Sequence, residues 1–246
     1  MRRKDIDILK GIGIILVVLG HVKPEMYVEK WIYSFHMFLF FFLCGLVFNK
    51  TTLKEQFKKS VLTCLLPYFV WNGIAIIISI CLQETTAIEA LKNMFFIGKV
   101  SWNSPIWFLL VLFWTRIAAQ FLTAKKVYIF CALPFLILLG YLCIIPSVLG
   151  LDILPMALIW FSLGYILKET KVETGFWKGL ILSAILMLVC IITSYINNRI
   201  SVYGNYYGNY IIALVSGLCG VGSTYIIINL YTGRGRSCAW LESVGK

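Results

Sequence analysis

Charge is scarce in this 246-residue chain. Asp, Glu, Lys and Arg together make up 13% of it, about half the share carried by soluble domains, which excludes a soluble globular fold. Acidic residues number 11 against 22 basic ones, for a formal charge of +11. No basic helix face or tail gathers that excess, so no nucleic-acid partner is expected. Histidine occurs only as His21 and His36, and with no acidic cluster beside either, no metal site is expected. The eight cysteines never come closer than twelve positions apart, and seven lie inside or at the edge of apolar runs. Neither a zinc pair nor a disulfide framework follows. A cleavable signal peptide is not expected: Asp5 and Asp7 interrupt the basic start, and Val22-Lys23-Pro24 lacks the small residues of a cleavage site. The first apolar run is read as a retained anchor.

Hydrophobic residues are abundant, at 60%. They are gathered into runs long enough to cross a hydrocarbon core of about 30 Å as helices. The spacing predicts spans at roughly 6–22, 31–48, 60–81, 106–121, 127–145, 149–167, 177–196 and 210–231. The expected fold is an all-α polytopic transmembrane bundle of about eight spans, one membrane-embedded domain over residues 1–246. Residues 50–59, with Leu53 and Phe57 among lysines, read as a short amphipathic stretch on the membrane surface. Asn103-Ser104-Pro105 reads as a cap and first-turn proline for the fourth span.

Basic residues in short loops stay on the cytoplasmic side during insertion. With the N-terminus inside, fifteen Lys and Arg fall in inner segments and five in outer loops: Lys23, Lys30, Lys92, Lys99 and Arg199. Lys10 and Arg116 lie within spans.

A polar group at bilayer depth costs a few kcal/mol unless it meets a partner or a wet cavity, so such residues are the first candidates for function. Lys10 and His21 are almost three helical turns apart, on one stripe and about 16 Å from each other. Asp7 joins the stripe at i−3 from Lys10, within pairing reach. The alternative is that Asp7 and Lys10 snorkel to the inner interface while His21 marks the outer one. His36, among Phe35, Phe38, Phe40, Phe41 and Phe42, has the chemistry of a general base or of a helix-to-helix hydrogen bond. Arg116 either snorkels or binds a ligand. Trp102, Asn103, Trp107 and Phe108 form an outer mouth with a belt role or a substrate role. The tyrosines at 203, 206, 207 and 210 suit a sugar-stacking surface or an aromatic belt. Ala213 with Gly217, and Ser216 with Gly220 and Thr224, make small-residue stripes for close helix packing.

Three ordered elements carry a family resemblance. Asp7-Ile-Leu-Lys10-Gly11-Ile-Gly13-Ile-Ile-Leu-Val-Val-Leu-Gly20-His21 resembles the N-terminal signature of the integral-membrane acyltransferase 3 family. Tyr33-Ser-Phe-His36-Met-Phe-Leu-Phe-Phe-Phe-Leu-Cys-Gly45 resembles its phenylalanine-rich second helix, and Pro105-Ile-Trp107-Phe108-Leu109 a later element. The resemblance implies transfer of an acyl group, commonly acetyl from acetyl-CoA, to a hydroxyl of a carbohydrate or similar cell-envelope acceptor. It implies a multi-pass protein of the bacterial cytoplasmic membrane whose partners are lipid, acyl-CoA and a carbohydrate or lipid-linked acceptor.

Many relatives carry a basic residue, ten intervening residues and a histidine in the first helix. The resemblance therefore makes Lys10 and His21 the leading catalytic residues, with His36 beside them. Asp7, Lys10 and Arg116 become the candidates for holding the coenzyme, and Trp107 and Asn103 for substrate. Lys10 stands where many relatives have arginine, Phe38 where proline is usual and Cys44 where serine is usual. The family usually has about ten spans, so the chain is expected to be C-terminally incomplete. The rival expectations are a transporter or exporter subunit and an inactive fragment. No internal repeat or pair of Gly/Pro-broken spans supports the first of these.

Overall fold

The computed structural model describes residues 3–22, 24–97, 104–169 and 175–245. The described residues are almost wholly helical, and Ser201 and Tyr206 form an isolated antiparallel bridge. The helices are α1 Lys4–His21, α2 Met26–Tyr33, α3 His36–Val47, α4 Leu53–Ser60, α5 Leu66–Cys81, α6 Ala87–Lys92, α7 Trp107–Leu122, α8 Lys126–Leu142, α9 Leu154–Glu169, α10 Phe176–Ile196, α11 Tyr210–Thr232 and α12 Ala239–Val244. Four helical stretches are long and apolar enough to cross a membrane: Met26–Val47, Leu53–Cys81, Phe176–Ile196 and Tyr210–Thr232. Trp107–Leu122, Val127–Leu142 and Leu154–Lys168 are shorter apolar helices. The chain is a multi-pass, all-helical membrane protein.

The boundaries differ from the hydropathy reading in instructive places. The second apolar run starts earlier, at Met26, and turns at Ser34 and Phe35 before α3 resumes. The Ser34 hydroxyl donates to the Trp31 carbonyl at 2.7 Å, an acceptor that the Ser34 backbone N–H also reaches at 3.2 Å. Residues 50–59 do not form a separate surface element. Thr52 and Glu55 close a capping box at the start of α4, and the helix continues through a π-helical turn at Val61–Leu65 into α5. No proline or glycine interrupts 53–66, so the chain absorbs its extra residue as a bulge instead of a break. Asn103 lies outside the described residues, as do Trp102, Lys23 and Lys99; Ser104–Ile106 forms one 3-10 turn ahead of α7. The short helices α6 and α12 have no counterpart among the expected spans.

Packing divides the chain into two compact units, Met1–Val47 with Leu163–Lys246, and Phe48–Ser162. In the first, α10 and α11 pair along a seam of small residues. Gly179, Ser183, Cys190 and Ser194 of α10 are buried, as are Ala213, Ser216, Gly217, Gly220 and Ser223 of α11. Ser223 donates to the Ser183 carbonyl at 2.7 Å. The opposite stripe of α10, with Ile181, Ile185, Leu188, Ile192 and Tyr195, is exposed. This inside-out arrangement suits lipid, where apolar surface gains nothing by hiding and close packing of small residues holds helices together. Phe35, Phe38 and Phe41 fill the core beside them.

In the second unit, Tyr68, Ala75, Ala90, Met94 and Leu110 make the core. The Tyr68 hydroxyl donates to the Met94 carbonyl at 2.6 Å. Trp114 donates to the Leu149 carbonyl at 3.2 Å.

The α11 seam yields a paired test. A Cβ on Gly220 would sit 2.5 Å from the ring of Phe35, whereas one on Gly222 would meet Leu186 at an ordinary 3.5 Å. Both substitutions to alanine gain helix propensity. Gly220→Ala is expected to lose about 1–3 kcal/mol to overpacking and to lower the thermal midpoint in detergent, while Gly222→Ala leaves it unchanged or raises it. Equal midpoints would show that the Phe35 contact is slack.

Candidate functional site

Helix α1 carries three of the sequence candidates and is lined by glycines where its neighbours approach. Gly13 lies against the Phe40 ring, with a hypothetical Cβ 2.7 Å away, and Gly20 lies against Tyr33 at 3.0 Å. Gly11 faces the Leu241 carbonyl of α12, and Gly245 faces the Asp7 carbonyl, both too closely for any side chain. The chain end is thereby docked beside Asp7, whose carboxylate is buried although it stands in the first turn of its helix. Lys10 is partly exposed, and its Nζ lies 4.0 Å from Asp7 Oδ1. At that separation and with the lysine side chain 40% exposed, the pair orients Lys10 more than it stabilises the fold.

His21 ends α1 as an exposed side chain, with Nδ1 2.7 Å from the Val17 carbonyl. His36 opens α3 and is buried, with Nδ1 2.8 Å from the Ile32 carbonyl. A carbonyl only accepts. Each neutral ring must therefore carry its proton on Nδ1 and present the Nε2 lone pair. Tyr33 links them: its ring meets His36 edge-on at 5.0 Å between centroids and packs against Gly20, the residue before His21. Lys10 sits about 16 Å down α1 from His21, eleven residues at 1.5 Å each.

The other candidates lie in the second unit. Arg116 on α7 donates from Nη1 to Thr63 Oγ1 at 2.8 Å and approaches Cys64 Sγ at 3.8 Å, both in the π-helical turn. Neither partner is acidic, so its charge is left unneutralised by them. One turn on, Gln120 donates to the Thr51 carbonyl. Trp107 is buried at the start of α7, edge-to-face with Phe108 at 6.2 Å. Asn103 is outside the described residues.

Of the four loop tyrosines, Tyr207 and Tyr210 are buried and pack edge-to-face at 5.6 Å. Tyr206 is 51% exposed and is the open ring among them. The sequence reading passed over the groups that border the histidines. Arg199 stands 4.4 Å above the Tyr33 ring and pairs with Glu29 at 3.0 Å. The signal for Tyr33 was its i−3 spacing from His36; nothing in sequence joins 199 to 33.

Lys10 and His21 thus lie on one stripe of α1 in a fold of apolar helices, with His36 at the start of α3. The family model described as an acyltransferase domain, that of the acyltransferase 3 family, matches residues 3–246, and the chain belongs to that family. No curated protein and no solved structure matches it.

The docking of α12 is testable apart from catalysis. Gly11→Ala is expected to push Leu241 away and free the chain end. Tryptic cleavage at the exposed Arg234 and Arg236 should then run several-fold faster, in line with a lower local opening free energy. An unchanged cleavage rate would mean that α1 does not hold this segment.

Proposed function

We propose that the protein transfers an acyl group, acetyl in the first instance, from acyl-CoA to a hydroxyl of a carbohydrate or similar cell-envelope acceptor. The observation that carries the proposal is the pair of imidazoles, each donating Nδ1–H to the carbonyl four residues earlier and leaving Nε2 as a base, in a chain of an acyltransferase family. His21, the exposed one, takes the proton from the acceptor hydroxyl as that oxygen attacks the thioester carbonyl. The tetrahedral intermediate collapses by breaking the carbon–sulfur bond, and the imidazolium returns the proton to the departing thiolate. The products are an ester and free coenzyme, with no proton gained or lost. His36 orients the acceptor or shares the base role.

Lys10, steadied by Asp7 at 4.0 Å, binds a coenzyme phosphate as a point charge. An extended pantetheine arm spans the roughly 16 Å from there to His21. Arg116, whose described partners are a hydroxyl and a thiol, is a further candidate for holding the donor by the family resemblance. Trp107 and Asn103 contribute to the acceptor side. The N-terminus is cytoplasmic and the membrane is the bacterial cytoplasmic membrane, in keeping with the bias of Lys and Arg toward the inner segments.

The test is thioester consumption by the protein in lipid nanodiscs, with acetyl-CoA and a glycan acceptor. His21→Ala is expected to lose about 10²–10⁴-fold in turnover, the range for removal of a general base. Lys10→Ala is expected to raise KM for the donor more than it lowers kcat. Unchanged turnover in a folded His21→Ala protein would remove His21 from the mechanism, and a wild-type protein that consumes no thioester would sink the acyl-transfer reading.

A further inference from the structure

The loop between α10 and α11 is built to hold one side chain in place. Asn197 is buried at its base and serves as a hub: Oδ1 accepts from the backbone N–H of Asn198 and Asn209, and Nδ2 donates to the Tyr207 and Asn209 carbonyls. Gly208 passes beside that hub with φ +62, where a Cβ would lie 2.5 Å from Asn197 Oδ1. Ser201 and Tyr206 exchange backbone hydrogen bonds of 2.7 and 3.0 Å across the turn. Lys30 of α2 ties the same segment down by donating to the Tyr195 and Asn197 carbonyls at 3.4 and 3.0 Å. Arg199 therefore leaves a fixed backbone.

Its guanidinium is fixed as well. Nε pairs with Glu29 Oε1 at 3.0 Å, and the group lies over the Tyr33 ring at 4.4 Å. Glu29 and Tyr33 stand one turn apart on α2, so a single planar cation engages both. Tyr33 in turn presents an edge to His36 and packs on Gly20 next to His21. Among the described residues His36 is held by one hydrogen bond, from Nδ1 to the Ile32 carbonyl. That bond alone leaves the ring free to swing about its Nδ1, and the Tyr33 contact limits the swing.

We propose that Arg199, anchored by Glu29, is a positioning residue for His36 and acts through the Tyr33 ring. The proposal rests on the acyl-transfer reading for its effect on rate. The chain of contacts itself is independent of that reading. Lys30 cannot take over the task, because its ammonium is spent on backbone carbonyls and lacks a flat face to stack. The half-exposed ion pair with Glu29 contributes little stability by itself. Its consequence is where it puts the Tyr33 ring.

The experiment uses the full chain in lipid nanodiscs and two readouts. The first is carbethoxylation of each histidine by diethyl pyrocarbonate, followed by mass spectrometry. In the wild type, His21 reacts quickly and buried His36 slowly. Arg199→Ala and Tyr33→Leu are expected to speed His36 modification several-fold and leave His21 unaltered, and Tyr33→Phe, which keeps the ring, to restore protection. Arg199→Lys should restore it only in part. The second readout is kinetic: Arg199→Ala is expected to lower kcat about ten- to a hundredfold, the scale for a misplaced reacting group, with KM for acetyl-CoA within about twofold. Should Arg199→Ala not fold, Glu29→Gln, which leaves every apolar contact in place, carries the same expectations at smaller size. Unchanged His36 labelling in the folded variants overturns the proposal. So does a lowered thermal midpoint with labelling and kcat both intact, the mark of a purely structural pair. If the wild type consumes no thioester, acyl transfer falls, and the labelling arm still decides whether Arg199 positions His36.

Discussion

A polar side chain surrounded by hydrocarbon must find its partner on the protein, and in this chain a recurrent partner is the carbonyl one turn back on the same helix. Thr63, Thr115, Thr123, Thr193, Thr224 and Thr232 all donate to the carbonyl four residues before them, at 2.7–2.9 Å. His21 does the same through Nδ1, and His36 donates from Nδ1 to the Ile32 carbonyl of α2, four residues back across the turn that precedes α3. The constraint that satisfies a hydroxyl in a span thus does more for an imidazole. It fixes the tautomer and turns Nε2 away from the backbone, which is the form a general base requires. The proposed chemistry follows from how a helix satisfies its side chains, with no acidic partner for either ring among the described residues.

The second constraint is how closely helices must approach. Helix α1 gives up side chains at Gly11, Gly13 and Gly20, and each position admits a different neighbour: α12, the Phe40 ring and the Tyr33 ring. These approaches bury Asp7 at one end of the helix and seat Tyr33 beside His21 at the other. Gly164 of α9 likewise lies against the Phe42 carbonyl. Packing and site are therefore set by the same small residues, and a methyl group added at one of them disturbs geometry before it disturbs hydrophobicity.

Much of this was legible in the sequence. The apolar runs anticipated helices α1, α3, α5 and α7 to α11 with starts up to six residues off, and among the described residues four helical stretches are long and apolar enough to cross a membrane. The Asp7–Lys10 pair and the common stripe of Lys10 and His21 followed from 3.6 residues per turn. What was read as a surface stretch at 50–59 proved continuous with the next helix, since amphipathicity marks a face and does not announce a break. The spacing of the tyrosines at 203, 206, 207 and 210 suits a sugar-stacking surface or an aromatic belt, yet Tyr207 and Tyr210 are buried, because Asn197 folds their loop back on itself.

The sequence by itself determined the helices, their apolar faces and the order of polar groups along each one, since those depend on neighbours a turn or two away. Only the tertiary structure decided which residues from distant segments meet. The docking of α12 on Gly11 and Asp7, and the placement of Arg199 and Glu29 over Tyr33, join residues far apart in the chain. Such pairs share no periodicity. They arise when helices pack, and a linear pattern carries no record of which side chain will stand across the gap.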